Sequence, residues 1–333
     1  MAENYDNRRV AIACQGGGSH TAFTAGVLKK LLKEKVEGKH DYEVVALSGT
    51  SGGAICALLT WYGLLMNDTK RAVELLDSFW RDNSASSLQD KLVNGWLLWT
   101  NRFFENTGGT PTISPYYYPS RGQDLLRSLL EKHVDFGRIN NLVKQSSPLL
   151  LVGAANVLSG EFKAFSSHRD EINADIILAS AAIPTLFRAV HTNGGVYWDG
   201  LFSQNPPVRE LPDAEPKPNE IWVIQINPER SEAEPRSMPN ITDRRNELSG
   251  NLSLYQEIHF IQTVNKWVEE GSLSGTKHEV IDIKWIQMLR DLDSASKLNR
   301  DPSFIQEMMA YGEEQAETFL KESSPVVGAG RTG

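Results

Sequence analysis

Gly49-Thr50-Ser51-Gly52-Gly53 is the stretch on which the reading of this chain turns. It follows a short run of strand formers at residues 43–47 and precedes residues 54–65, which are apolar enough for a buried helix. A serine between glycines at a strand-to-helix junction suits a nucleophile. Small neighbours tolerate the sharp turn that pushes the hydroxyl outward. The N–H groups and positive end of the following helix favour a developing oxyanion. The bland alternative is a glycine turn that only packs helix on strand, because short motifs also arise by chance.

The same grammar stands immediately upstream. Residues 9–14 form a strand-like apolar run, Gly16-Gly17-Gly18 follows, and Phe23, Val27, Leu28, Leu31 and Leu32 then keep helical spacing. Two successive strand-turn-helix units predict a parallel sheet covered by helices. Consecutive glycines leave backbone N–H groups free to face an anion, as an oxyanion hole requires. A nucleotide loop is the rival reading. It fits poorly, because Thr21 stands where G-x-G-x-x-G needs its last small residue, and no Lys completes a P-loop.

Further strands are expected at residues 148–153, 161–165 and 220–226, and helices at 71–80, 123–133 and 170–182. Residues 228–239 are rich in proline and charge and read as a linker. Beyond them Leu254, Ile258, Ile261 and Val268 keep helical spacing, as do Ile305, Met308, Met309, Gly312, Ala316 and Phe319, with a strand-like run at 280–286 between them. The expected organisation is α/β. A mostly parallel central sheet flanked by helices occupies residues 1–235, and a mainly helical C-terminal extension over 236–333 packs on it, with a disordered tail from about 323.

Composition narrows the function. The 333 residues carry 34 Lys and Arg against 42 Asp and Glu, a formal net charge of -8, which argues against a general nucleic-acid binder. The polar start lacks the apolar core of a secretory signal, and the longest apolar runs fall short of a membrane span, so the default is a cytoplasmic protein, compatible with peripheral contact at a membrane surface. Cys14 and Cys56 lie in apolar segments and read as buried thiols, not as a disulfide. The seven histidines are scattered without a ligand motif, so no metal or other cofactor is expected.

A serine nucleophile needs a base. Ser51, Asp199 and His259 stand in the chain order of an α/β-hydrolase triad, but only one predicted strand precedes the strand leading to Ser51, and His259 sits inside a helical pattern. Asp199 has the better setting. Tyr197-Trp198-Asp199-Gly200 follows a Gly194-Gly195 turn, and an aspartate among aromatic and glycine residues can be desolvated beside a ligand, which raises its pKa and improves it as a base. An Asp in an ordinary turn is the alternative.

Taken together, these blocks resemble the patatin-like phospholipase family. The resemblance rests on Gly16-Gly17-Gly18, on Gly49 to Gly53, on Ala179-Ser180-Ala181-Ala182-Ile183-Pro184-Thr185-Leu186-Phe187, and on Asp199-Gly200 with Asn205-Pro206, in that order. Arg244-Arg245-Asn246-Glu247-Leu248 is similar to the extension of a bacterial branch of the family. The resemblance implies a Ser51–Asp199 dyad that hydrolyses lipid acyl esters through an acyl-enzyme, with Gly16, Gly17, Gly18 and Gly52 as the oxyanion hole. Related chemistries open to the same dyad are thioester and polyester hydrolysis, and a non-catalytic lipid-surface protein is the contrasting class. Two positions depart from the family pattern. Ser19-His20-Thr21 stands where Arg-Gly or Lys-Gly usually follows the glycines, so His20 is expected to brace the loop, and Leu201 replaces a small residue after Asp199-Gly200. Trp96-Leu97-Leu98-Trp99, Phe103-Phe104 and Tyr116-Tyr117-Tyr118 crowd aromatics into one segment, either as a lid at a lipid interface or as the core of an insertion.

Overall fold

The computed structural model describes residues 8–85, 114–117, 119–184, 186–231, 233–274, 276–290, 292 and 294–323. Its strands are β1 (Arg9–Cys14), β2 (Glu43–Gly49), β3 (Leu149–Asn156), β4 (Phe162–Ser166), β5 (Val190–Thr192), β6 (Gly195–Asp199), β7 (Glu220–Gln225) and β8 (Asp282–Gln287). They form one sheet in the order β5-β6-β3-β2-β1-β7-β8, with β4 also on β3. The run from β3 to β8 is parallel, whereas β4, β6 and β5 add antiparallel pairings at one side. The sheet therefore extends past residue 235, because β8 pairs with β7 over its whole length.

The helices are α1 (Ala22–Val36), α2 (Gly52–Leu65), α3 (Thr69–Asn83), α4 (Arg121–His133), α5 (Phe136–Leu142), α6 (Ala174–Ser180), α7 (Met238–Glu269) and α8 (Pro302–Ser323). Alternation along the strands divides the core. Val10, Ile12 and Cys14 face a cluster shared with α1, α2, α3 and α8, and Ala11 and Ala13 face a second cluster with Leu254, Ile258 and Ile261 of α7. Burial on both faces explains why β1 and β7 read as continuous apolar runs. Cys14 and Cys56 are buried free thiols, and burial pushes Cys56 up to about 12.

Glycines let α1 and α8 approach at backbone distance. A Cβ on Gly26 would meet the Met309 carbonyl, and one on Gly312 would meet the Phe23 carbonyl. The last described helix is thereby locked onto the first.

Three elements depart from expectation. The helix expected over 170–182 is confined to α6, because Asn173 caps its start by accepting from Ile176 N–H at 3.0 Å and the chain turns at Ala181. The residues around Gly194 form a hairpin, β5–β6, and not only a turn. Helix α7 starts sixteen residues ahead of Leu254, with the Ser237 hydroxyl as its cap at 3.3 Å. Among the aromatics expected as lid or core, Tyr116 and Tyr117 are exposed, and Trp96, Leu97, Leu98, Trp99, Phe103, Phe104 and Tyr118 lie outside the described residues, as does the tail from 324. Among the described residues no helix is long and apolar enough to cross a membrane, and no cluster of three or more His, Cys, Asp or Glu is placed to hold a metal.

Candidate active site

Neighbouring parallel strands β1 and β2 end together, pairing Cys14 with Gly49, so the glycine loop and the Ser51 turn emerge side by side. Their approach is close: a Cβ on Gly16 would lie 2.5 Å from the Thr50 carbonyl oxygen and 2.9 Å from Ser51 Cβ. Ser51 adopts φ 56° and ψ -130° at the N-cap of α2, a left-handed backbone that a serine holds only when its surroundings over-determine it. Its N–H donates to Ser180 Oγ at 3.0 Å, and the Ser180 hydroxyl donates to the Gly153 carbonyl at 2.7 Å, which ties the turn to β3. The Thr50 hydroxyl donates to the Gln204 carbonyl.

Asp199 reaches the same place from the other side. Strand β2 pairs with β3 as far as Val152, and β6 takes up β3 from Ala154, which faces Asp199. The carboxylate is 1% exposed; Oδ1 accepts the Leu201 N–H at 2.8 Å, and Oδ2 makes no hydrogen bond of full geometry. Burial pushes the Asp199 pKa up to about 7, against the opposing pull of the Leu201 N–H and the Ser51 hydroxyl. Ser51 is therefore near enough to favour the charged carboxylate, but desolvation outweighs it.

Ser51 sits between two cavities. One, of about 260 Å³, is bounded by Gly16, Gly17, Gly18, Ser51 and Asp199 and closed by Asn205, Asn227, Asn246 and Lys297. The other, of about 190 Å³, starts at Ser51 and Gly52 and is walled by Ile55, Phe79, Trp80, Leu126, Leu186 and Phe187. None of the described lining residues is a histidine, and His259 is exposed on α7.

The four expected oxyanion donors divide. The Gly16 N–H is taken by Asn205 Oδ1 at 2.7 Å, which fixes the loop. The N–H groups of Gly17, Gly18 and Gly52 have no hydrogen-bond acceptor among the described residues. Gly18 has φ +57° and lies against the Lys297 carbonyl, so a side chain there is both strained and obstructed. His20 is buried, and its Nε2 is 2.7 Å from Ser296 Oγ, so it links the glycine loop to the 3-10 turn Ser294–Leu298.

Several residues of the site carry no motif in the sequence. Gln15 holds the loop by accepting from Ile226 and Asn227 N–H at 2.9 and 2.8 Å and donating to Asn251 at 3.0 Å. Lys297 reaches Asp243 at 2.6 Å and Glu247 at 3.1 Å. Asn205, Ser180, Leu186, Phe187, Asn246 and Glu247, by contrast, lie inside the blocks quoted from the sequence.

Among solved structures, VipD from Legionella pneumophila is similar at 14% identity and TM-score 0.44, with coverage of 95% of this chain and 67% of that one. The type III effector ExoU matches at 14% identity and TM-score 0.35, over 94% of this chain and 52% of its own. ExoU in its complex with SpcU from Pseudomonas aeruginosa matches at 13% and TM-score 0.34, over 95% and 51%. The chain thus spans about two thirds of VipD and about half of the ExoU chains. No curated protein matches it significantly. The model of the patatin-like phospholipases matches residues 12–212, which include the glycine loop, Ser51 and Asp199 but not α7 or the 294–298 turn. With more than half of its length in that match, the chain belongs to the patatin-like phospholipase family.

Proposed function

We propose that this protein is a serine hydrolase of lipid acyl esters that works through a Ser51–Asp199 dyad. The observation that carries the reading is the convergence on one cavity of a strained serine at a helix N-terminus, a desolvated aspartate and backbone N–H groups without acceptors. Asp199 takes the Ser51 proton as Oγ attacks the ester carbonyl. Negative charge then develops on the carbonyl oxygen, where the N–H groups of Gly17, Gly18 and Gly52 and the N-terminal end of α2 offset it. Collapse transfers the proton from Asp199 to the departing alcohol and leaves an acyl-Ser51. Water, deprotonated by the same carboxylate, releases the acid. An aspartate whose pKa lies near 7 is suited to both directions of proton transfer, since neither protonation state is far out of reach at neutral pH. The apolar cavity beyond Gly52 suits an acyl chain.

The test is an acyl-enzyme trap. A fluorophosphonate probe should label the protein at Ser51 alone, and Ser51→Ala should remove both label and ester turnover while the circular dichroism is retained. Labelling of Ser51→Ala at undiminished level would refute the assignment.

A further inference from the structure

The cavity on the far side of Ser51 from the apolar one is lined by two buried asparagines whose amide nitrogens have no acceptor. Asn205 Oδ1 is committed to the Gly16 N–H, which orients its Nδ2 the other way, and that Nδ2 has no acceptor. Asn227 Nδ2 also has none. Both residues are at least nine-tenths buried, at 0% and 4% exposed. Their amide nitrogens converge on Gly250 of α7, where a Cβ would stand 2.9 Å from one and 3.4 Å from the other. Asn246 Oδ1 is a third buried, unpartnered group on this wall, and it is an acceptor. Buried donors and acceptors left open are costly unless a ligand or water completes them.

The charges of the same wall run against an anion. Lys297 is the sole cation among the described residues bounding this cavity, and Asp243 and Glu247 hold it from both sides. Arg244, on α7, is bound to Glu247 and to the carbonyls of Pro228 and Glu229. His20, in the place of a basic family residue, is turned to Ser296.

We propose that this cavity receives the alcohol side of the ester, and that the alcohol is an uncharged, hydroxyl-bearing group of the glycerol or sugar type and not a phosphate-bearing headgroup. Hydroxyls both donate and accept, which matches amide N–H groups beside an amide oxygen and carboxylates, whereas a phosphate only accepts and would meet two carboxylates around a neutralised lysine. The inference rests on the hydrolase reading and names the substrate class for it.

The test compares kcat/KM of the full chain on octanoyl esters below their critical micelle concentrations. The substrates are 1-octanoylglycerol, octanoyl glucose, the 1-octanoyl lysophosphatidylcholine and lysophosphatidylglycerol, and p-nitrophenyl octanoate. At least one polyol ester should exceed both lysophospholipids by about tenfold or more, the discrimination expected when a wrong group leaves buried partners unmatched. Asn227→Ala should lower the ratio of that ester to the p-nitrophenyl ester by about fivefold, the loss of one or two hydrogen bonds. Asp243→Asn with Glu247→Gln, which unpins Lys297, should shift preference toward lysophosphatidylglycerol. A wild type that prefers either lysophospholipid, or a double variant with unchanged preference, overturns the inference and leaves the hydrolase intact. If the p-nitrophenyl ester is not cleaved either, the hydrolase reading falls and this inference with it.

Discussion

Replacing Asp199 by Asn should stabilise the protein while silencing it, and the size of the effect follows from one group. Burial disfavours the charge of the Asp199 carboxyl and pushes its pKa up to about 7, from an ordinary value of 3.8. Between those values the native state holds a proton that the unfolded chain has lost, so the stability of the wild type falls as pH rises. At about 1.4 kcal/mol per pH unit over roughly three units, the loss amounts to ~4 kcal/mol, complete above pH 7 and absent below pH 4. The amide of Asp199→Asn never ionises and keeps an oxygen for the Leu201 N–H. Urea denaturation of both proteins at pH 4, 5.5 and 8.5 should therefore show a stability gap, variant minus wild type, that widens with pH by up to ~4 kcal/mol. Any packing cost of the exchange is independent of pH and drops out of the widening. Ester turnover should fall by about 10² to 10⁴, the usual contribution of a general base. A gap that stays constant from pH 4 to 8.5 would refute the desolvated-acid account, and full activity of the variant would refute Asp199 as base.

Other outcomes follow from the same geometry. Log kcat/KM on a neutral short-chain ester should rise with unit slope up to a pH of about 7 and level off above it, since Asp199 must be ionised to accept the Ser51 proton; a flat profile from pH 5 to 8 contradicts this. His20→Ala and Ser296→Ala should each lower kcat on that ester by about 3- to 10-fold, the worth of one hydrogen bond bracing the oxyanion loop, and unchanged kcat in His20→Ala would remove the bracing role. Gly312→Val should cost about 1–3 kcal/mol in denaturant unfolding by forcing α8 off the Phe23 carbonyl, with little change in m-value; an unaltered midpoint would show that the helices can separate freely.

The legible part of this protein is the part in which local pattern and global role coincide. Strands buried on both faces show as apolar runs, and glycines are forced wherever a turn must pass close to another backbone, so β1, β2, the glycine loop and the Ser51 turn all announce themselves. The first half of α7 does not. Its inward face carries Asn246, Glu247 and Asn251, which meet a polar cavity and Gln15 instead of a core, and the apolar spacing that marks a helix is missing there for that reason. Lys297 and Ser296 were illegible because their partners lie 50 or more residues away, and such pairing leaves no trace in local composition. The hairpin β5–β6 hides behind Gly194-Gly195 because β5, at three residues, is too short to show alternation.

The placement of the bracing turn also sets a clock on synthesis. Ser51 leaves the ribosome about 245 residues before Ser296, the partner that His20 needs to steady the glycine loop, and before Lys297, whose carbonyl backs Gly18. At translation rates of about 5–20 residues per second, roughly 12–50 seconds separate the appearance of Ser51 from the appearance of the segment that completes its surroundings. For about the first 170 of those residues β1 lacks β7 as well, so the loop that would face an oxyanion hangs from a strand with one of its two neighbours still unmade. A nascent chain in which Ser51 is already made thus lacks, for about the next 245 residues, the segment that completes the surroundings of this serine.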